Sequence, residues 1–507
     1  MGTYLNEDYK KLIYRRQFYL TPRTIDIDGL FNYTLLNNDY HLYTHIDLNF
    51  TYRKSGEKSL YILGDIFDGH NPSYTNDDII DKLMIYSFND LVIQADIYAG
   101  RYVIIYCDEN NIQIFNDAAT SRKVFYAINS DQVWCGSQPH VLADILNIPK
   151  TTDKDKLQYF ESEYFFKNEL IGIYHHTIYD EIFQLSPNHF LDYKLKKCVR
   201  FWPYQPVVLS SLEMVTRNAG DLLKGYMNAI HHRYKKLMMA VTAGMDSRFL
   251  LAASKDISQH VFYYINRLPG MNDDNMDIRI GKRVTESLGL DFHILEPDQQ
   301  IDEKFKEIYL KNTVFPYESR LSLIYNIYYK RFPDYINLPG NFSEVGRNAW
   351  YFYRSKITGK DMVNLTFTGD FKYAINKSSE WISEVKDICR SNNVNILDLQ
   401  YWENRITTWG THFQASKDIA QEEVLPLNSR QLMTILLSSK RKYRDEDVCY
   451  LHRRMIKYLW KEALDVPVNP TFTKFYFKLL KHIGLFRLYF MVKHHFKILY
   501  LKIHNLK

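Results

Sequence analysis

The stretch Met238–Asp256, MMAVTAGMDSRFLLAASKD, joins an apolar run to a helical pattern through a short turn. The apolar run predicts a buried strand, and the residues from about Ser247 onward have the spacing of a helix. In an open parallel sheet, ligands bind beyond the carboxyl ends of the strands. The turn between Thr242 and Ser247 is therefore a candidate ligand site, although it lacks the Gly-Lys-Ser/Thr ending of the usual phosphate loop.

The composition indicates a globular, multidomain protein rich in aromatic residues. The chain has 507 residues, of which 46% are hydrophobic and 24% charged, with 41 Tyr and 30 Phe. A chain of this length is expected to form two or three domains. The five Cys are dispersed, which favours reduced thiols in a cytoplasmic protein. No apolar run of the sequence has the length and lack of charge of a membrane span or a signal peptide.

The pattern of strands and helices changes near residue 206. The first part contains short β-branched or aromatic runs at hairpin-like spacing, with helical stretches between them, which predicts an α+β domain with antiparallel sheets. After Leu212, apolar runs alternate with helical patterns, which predicts parallel strands joined by helices. The predicted strands are LMMAV, HVFYYIN, FHILEP and YINLPGN. The region 370–465 reads as mostly helical.

The residue types of the turn suit a pyrophosphate group with a bound cation. Thr242 and Ser247 carry hydroxyl donors, while Ala243 and Gly244 let the backbone approach an anion closely. N–H groups at the start of the next helix would point at that anion. Asp246 would repel a phosphate unless a divalent cation lay between them, so we predict Mg²⁺ held by Asp246. The alternative is an ordinary helix start in which Asp246 and Ser247 are caps.

This turn resembles the Ser-Gly-Gly-x-Asp-Ser loop of the PP-loop ATP pyrophosphatases, and is most similar to their asparagine synthetase branch. The resemblance implies cleavage of ATP between its α- and β-phosphates and adenylation of a carboxylate. The family's second signature is a Gly-rich loop after a later strand, and LPGNFSEVGR, residues 338–347, stands at about the expected distance. Matching Gly340 to the first Gly of that loop places Glu344 on the family's metal-binding Asp. Glu344 would then share Mg²⁺ with Asp246; the alternative is a solvated loop acid.

The resemblance extends with weaker motifs over residues 60–465. The segment from Gly100, GRYVIIYCDENNIQIFNDAATSRKVFYA, resembles the class II glutamine amidotransferase half of asparagine synthetase, and LPLNSRQLMTILLSS resembles its Pro-Phe-Leu-Asp segment. The implied fold is an α+β Ntn-hydrolase-like sandwich, residues 1–205, followed by an α/β PP-loop domain of the adenine nucleotide alpha hydrolase-like type, residues 206–470. That domain would combine a parallel sheet with a helical C-terminal part, and residues 471–507 would form a basic tail.

Several positions depart from the family pattern. Gly2 stands where the glutaminase nucleophile would be Cys, so we expect no glutaminase activity. Asn341 replaces an acid–base Glu and cannot take a proton at neutral pH. The family's helical Lys falls on His452, followed by Arg453, and either could act in catalysis by stabilising charge on the phosphate or by serving as a base. The alternative for these two is a basic surface cluster. Arg248 replaces the second Ser of the turn and could contact a phosphate.

The predicted function is an ATP- and Mg²⁺-dependent, AMP-forming amide ligase that transfers an activated carboxylate to an amine. Sugar, polysaccharide or secondary-metabolite modification would fit, since the acid need not be aspartate and the amine need not be ammonia. The first alternative is a catalytically degenerate nucleotide-binding relative, which Asn341 and the missing Lys favour. The second is a PP-loop enzyme that modifies tRNA.

The C-terminal tail accounts for the positive net charge of the chain. The chain has a formal net charge of +5, and residues 472–507 contain eight Lys and Arg and no acid, so the rest carries −3. Aromatic and aliphatic residues between the lysines suit an amphipathic helix on an anionic membrane surface. Helices packed on the body and RNA contact are the alternatives. We therefore expect a cytoplasmic protein, and peripheral contact with the inner membrane surface is one possibility for the tail. A homodimer is also possible. The sequence carries no strong signal for nucleic-acid binding.

Overall fold

The computed structural model describes residues 7–36, 39–347, 356–445 and 448–469, and the tail positions 479–480, 483, 485, 488–489 and 492. The strands of the N-terminal part are β1 (Phe18–Thr21), β2 (Phe31–Leu35), β3 (His41–His45), β4 (Phe50–Ser55), β5 (Lys58–Asp68), β6 (Tyr98–Cys107), β7 (Ile112–Asn116), β8 (Phe125–Asn129), β9 (Gln132–Gly136), β10 (Ile182–Gln184), β11 (His189–Asp192) and β12 (Lys197–Arg200). The later strands are β13 (Leu237–Ala240), β14 (Val261–Asn266), β15 (His293–Leu295) and β16 (Ile336–Asn337).

Helices surround the sheets and dominate the second half of the chain. The α-helices are α1 (Glu7–Lys10), α2 (Asn76–Leu83), α3 (Phe88–Gln94), α4 (Pro139–Leu146), α5 (Lys154–Phe160), α6 (Glu163–Lys167), α7 (Leu212–Arg233), α8 (Met245–Ala253), α9 (Met276–Ser287), α10 (Glu303–Asn312), α11 (Leu321–Leu323), α12 (Gly359–Thr366), α13 (Lys372–Ser391), α14 (Ile396–Gln400), α15 (Thr411–Lys417), α16 (Arg430–Leu437) and α17 (Tyr450–Leu459). Two segments, Ile324–Arg331 and Tyr401–Gly410, are wound as π-helix. The 3₁₀ turns are Ala95–Ile97, Lys255–His260, Glu318–Arg320, Ser343–Gly346, Arg441–Tyr443 and Lys461–Leu464.

The N-terminal strands form two antiparallel sheets that pack face to face. Their strand orders are β10-β8-β9-β1-β3-β2 and β12-β11-β7-β6-β5-β4. Successive side chains of a strand point to opposite faces, so Tyr61 and Leu63 of β5 lie in the core between the sheets. Leu60 and Ile62 lie on the outer face, in a second core with α2 and α3. The predicted antiparallel α+β sandwich is therefore confirmed as a layered arrangement.

The middle of the chain forms a four-stranded parallel sheet. Its order is β15-β14-β13-β16, and each neighbouring pair is parallel. The strands correspond to the four apolar runs expected after Leu212, so the parallel sheet is confirmed. Two side chains of β13, Met238 and Met239, are fully buried, as expected for a strand covered on both faces.

A buried ion cluster joins the sandwich to the helical part. Arg101, at the start of β6, donates to both carboxylate oxygens of Asp418 at 2.5 and 2.7 Å. Glu422 accepts from Arg122 at 2.9 Å and lies 3.3 Å from the Nε atom of Arg16. All five side chains are largely buried, and Arg101 is only 1% exposed. The cluster therefore fixes residues 418–422 against the sandwich.

The basic tail falls mainly outside the described residues. Five apolar side chains at its described positions are exposed, namely Leu479, Ile483, Leu485, Leu488 and Val492. Among the helices that the structure describes, none is long and apolar enough to cross a bilayer. Membrane contact by the tail, the homodimer and the domain boundaries at 205 and 470 stay predictions.

We expect Arg101→Met to destabilise the protein by about 3–5 kcal/mol, because it leaves the buried Asp418 carboxylate without its bidentate partner. Arg53→Met is the control, since Arg53 pairs with Asp77 and Asp81 at the exposed surface, where ion pairs contribute little. The measurement is the urea midpoint of unfolding, followed by near-ultraviolet circular dichroism. Equal midpoints for the two variants would contradict a structural role for the cluster.

Candidate functional site

The loops that follow β13 and β16 meet where the order of the parallel sheet reverses. β14 and β15 lie on one side of β13, and β16 lies on the other. Such a switch point opens a crevice beyond the carboxyl ends of the two strands. Gly340 touches the other loop there: a Cβ atom at this position would lie 3.1 Å from the Asp246 carbonyl oxygen and 3.2 Å from the Ser247 nitrogen. The fold thus brings the two predicted motifs into contact.

The turn after β13 is organised by hydrogen bonds within the chain. The Thr242 N–H donates to Ser247 Oγ at 3.1 Å, and the Gly244 N–H donates to Thr242 Oγ1 at 3.1 Å. The Ala243 N–H donates to the carboxylate of Asp277 at 2.9 Å. The two hydroxyls and these three N–H groups therefore shape the turn itself.

Helix α8 begins at Met245, two residues earlier than expected near Ser247. Its N-cap is Gly244, and among the described residues no side chain caps it. Asp246 and Ser247 lie inside the first turn, so the alternative in which they cap the helix is wrong. Asp246 lies in this first turn, beside the crevice. The helix dipole stabilises a negative charge at such a position.

Asp246 and Glu344 both lie within ion-pair distance of one guanidinium group, that of Arg347. Arg347 Nη2 is 2.7 Å from Asp246 Oδ2 and 4.0 Å from Glu344 Oε1. Ser343 Oγ donates to the other oxygen of Asp246. The Phe342 N–H donates to Glu344 Oε2 at 2.8 Å, and Phe342 itself is left-handed with φ of 83°. The loop after β16 therefore turns sharply to present Glu344 to the same cation as Asp246.

The electrostatics of this pair suit a cation. Burial, together with the nearby Asp246 carboxylate, raises the pKa of Glu344 to about 7, while Arg347 opposes this shift. Two carboxylates from separate loops fit Mg²⁺, which usually binds one or two protein carboxylates and completes its shell with phosphates and water. Within the described ranges, no three or more His, Cys, Asp and Glu residues are grouped as a metal site. The other ligands would have to come from substrate and solvent.

His452 lies beneath the second loop, with no exposed surface. Its Nε2 is 3.1 Å from the Ser343 carbonyl oxygen, and its ring packs edge-on against Phe249 at 5.3 Å. Burial lowers the pKa of His452 to about 3, so the ring is neutral and Nε2–H donates to the carbonyl. In this arrangement His452 supports the loop from below.

Arg248 and Arg453 contact neighbouring backbone. Arg248 is fully buried, and its Nη1 donates to the carbonyls of Ala463 and Val466 at 2.7 Å each. Arg453 Nε donates to the Val448 carbonyl at 3.1 Å. Both arginines thus have hydrogen bonds to carbonyl groups outside the two loops, whereas Gly340, Asp246 and Glu344 lie at the junction.

Two residues of the site, Asp277 and Arg347, are not predicted from the sequence. Arg347 belongs to the LPGNFSEVGR segment, and its position three residues after Glu344 is the local signal that could have identified it. Asp277 lies in α9 and accepts a hydrogen bond from the Ala243 N–H, 34 residues earlier in the chain. No local pattern indicates that contact.

Comparisons with known proteins give little further information. No family model and no curated protein matches the chain. Among solved structures, it is similar to the glutamine phosphoribosylpyrophosphate (PRPP) amidotransferase from B. subtilis complexed with ADP and GMP, at 8% identity and a TM-score of 0.21. The match covers 59% of this chain and 65% of that chain, which is less than two thirds of its length.

We expect Gly340→Ala to destabilise the protein by about 1–3 kcal/mol, because the added methyl group overpacks the contact between the loops. Gly244→Ala is the comparison in the same site: its Cβ would meet one rotatable hydroxyl, Thr242 Oγ1, at 3.3 Å and no backbone of the other loop, so its effect reports the helix N-cap alone. Urea unfolding midpoints compare both variants with the unsubstituted protein. If Gly340→Ala proved as stable as the unsubstituted protein, the two loops would not be in the contact described.

Proposed function

We propose that the protein is an ATP-dependent, AMP-forming ligase that adenylates a carboxylate and transfers the acyl group to an amine. The observation that carries this proposal is the meeting of Asp246 and Glu344 at the reversal point of the parallel sheet. The similarity of the two loop sequences to the asparagine synthetase branch of the PP-loop enzymes supports the same conclusion.

The proposed reaction has two steps. In the first, a carboxylate oxygen of the acid attacks the α-phosphorus of ATP, the bond from that phosphorus to the bridging oxygen breaks, and pyrophosphate leaves. In the second, the amine attacks the carbonyl carbon of the acyl-adenylate, AMP leaves, and the amine releases a proton. The products are the amide, AMP and pyrophosphate.

Asp246 and Glu344 would hold Mg²⁺, which when bound neutralises charge on the pyrophosphate leaving group. The residues of the chain contribute by positioning the two carboxylates. Gly340 allows the loop after β16 to approach the first turn of α8, and His452 supports the Ser343 carbonyl beneath that loop. The two carboxylates are thereby held at one end of the sheet.

The acceptor side is proposed to differ from that of asparagine synthetase. Asn341 stands where the family has an acid–base Glu, and an amide side chain cannot take up the proton that the amine releases. By sequence position, the family's Lys falls on His452, which is buried and neutral in this chain. We therefore propose an amine other than ammonia, such as that of a sugar or a secondary metabolite.

A nucleotide-binding relative without catalysis is the second candidate, and one observation favours it. The Arg347 guanidinium lies within ion-pair distance of both carboxylates that would hold the cation. A protein that had lost catalysis could keep this ion pair as a purely structural contact.

Pyrophosphate exchange distinguishes the two candidates. The protein would be given ATP, Mg²⁺, labelled pyrophosphate and a panel of carboxylates, while equilibrium dialysis measures ATP binding. We expect exchange with at least one acid, and Asp246→Asn to reduce it by roughly 100-fold or more through loss of the metal ligand. Asp256→Asn is the control, because Asp256 forms an exposed pair with Lys224.

The outcomes of this experiment separate the candidates. ATP binding without exchange across a broad panel of acids would support the non-catalytic relative. Absence of ATP binding would overturn both candidates. Full exchange by Asp246→Asn would show that this carboxylate is not the metal ligand.

A further inference from the structure

Arg347 occupies the place that the two carboxylates offer to a cation. Its Nη2 is close to one oxygen of each acid, at 2.7 Å from Asp246 and 4.0 Å from Glu344. The Arg347 side chain is only 13% exposed, and those of Asp246 and Glu344 are 27% and 17% exposed. The guanidinium is therefore held in a half-buried position, where an ion pair is stronger than at the open surface.

A guanidinium and a divalent cation cannot both use these oxygens. Arg347 hydrogen-bonds Asp246 Oδ2 and lies 4.0 Å from Glu344 Oε1, so a divalent cation bound by the same oxygens would lie close to the guanidinium, and the two cations would repel each other. The ion pairs that the described residues form with Asp246 and Glu344 all come from Arg347. A metal ion that enters the site has to displace this one side chain.

We propose that Arg347 is a built-in counter-ion, which excludes divalent cations from the nucleotide-free protein and moves to a phosphate group when the metal enters with its nucleotide. The first half of this proposal concerns only the empty site. The second half rests on the proposed function, because it requires a polyphosphate substrate.

The chemistry of arginine supports this exchange of partners. The planar fork of N–H donors that contacts a carboxylate fits a phosphate equally well, in a bidentate geometry. When a nucleotide arrives with a divalent cation, the cation competes with Arg347 for the two carboxylates. The phosphate groups of the nucleotide offer the guanidinium a new anionic partner. The site would then load metal and nucleotide together and would bind metal alone only weakly.

The test measures Mn²⁺ binding by electron paramagnetic resonance, with no nucleotide present. We expect Arg347→Met to raise the Mn²⁺ affinity roughly tenfold, because the charged hydrogen bond to Asp246 no longer has to break before the cation enters. The same variant should bind ATP with Mg²⁺ roughly tenfold or more weakly, because the phosphate loses a charge-assisted contact. Opposite changes in the two affinities are not expected from a merely structural arginine.

Three further variants control the experiment. Arg454→Met removes an exposed arginine on the neighbouring helix α17 and should change neither affinity. Asp246→Asn combined with Arg347→Met should abolish the gain in Mn²⁺ binding. Arg347→Lys keeps the positive charge but lacks the planar fork of N–H donors. It should therefore leave the Mn²⁺ affinity low and weaken ATP binding. It replaces Arg347→Met in the experiment if that variant does not fold.

The outcomes separate the two halves of the proposal. An unchanged or lower Mn²⁺ affinity in Arg347→Met would overturn the proposal that Arg347 is a counter-ion. If only Arg347→Lys folds, a raised Mn²⁺ affinity in that variant would overturn it. Raised Mn²⁺ affinity with unchanged ATP affinity would overturn the transfer to phosphate. If Arg347→Met binds Mn²⁺ more tightly but neither it nor the unsubstituted protein binds ATP, the counter-ion role would be supported and the proposed function would fail.

Discussion

The buried pairing of three arginines with Asp418 and Glu422 is the contact on which the rest of the arrangement depends. The sandwich supplies Arg16, Arg101 and Arg122, and the two acids follow helix α15. The segment they hold continues beside β16: the Asn337 N–H donates to the Glu422 carbonyl at 3.2 Å, and the Val424 N–H donates to the Asn337 carbonyl at 3.0 Å. The loop with Gly340 and Glu344 begins directly after β16, so the sandwich helps to position the site.

A buried ion cluster specifies geometry more than it adds stability. Desolvating several charges costs free energy that their attraction only partly returns. Burial opposes ionisation of Glu422, yet Arg122 and Arg101 hold its pKa down at about 2. Three cations against two anions leave no acid without a partner, and a shift of register would bury an unpaired charge. The cluster therefore favours one docking of the sandwich on the helical part.

Much of the fold could be predicted because its strands are short, apolar and locally separated by turn residues. The four parallel strands and the antiparallel strands β5 to β9 follow from such runs, and the resemblance of the two loops to the PP-loop family implied that Asp246 and Glu344 would be neighbours. The start of α8 was placed two residues late, because Gly244, a residue without a side chain, is its N-cap. His452 is located at the site but buried beneath it, and a helical pattern does not indicate the depth at which one of its side chains lies.

The sequence by itself determined the order of strands and helices, the apolar faces that pack, and the two loops with their carboxylates. These depend on local propensity and on periodicity, which act between residues close in the chain. Only the tertiary structure decided what lies between the carboxylates and what supports them. Arg347 lies 101 residues after Asp246, and Arg101 lies 317 residues before Asp418. Such partners meet because sheet order and burial bring them together, and no local pattern carries that information.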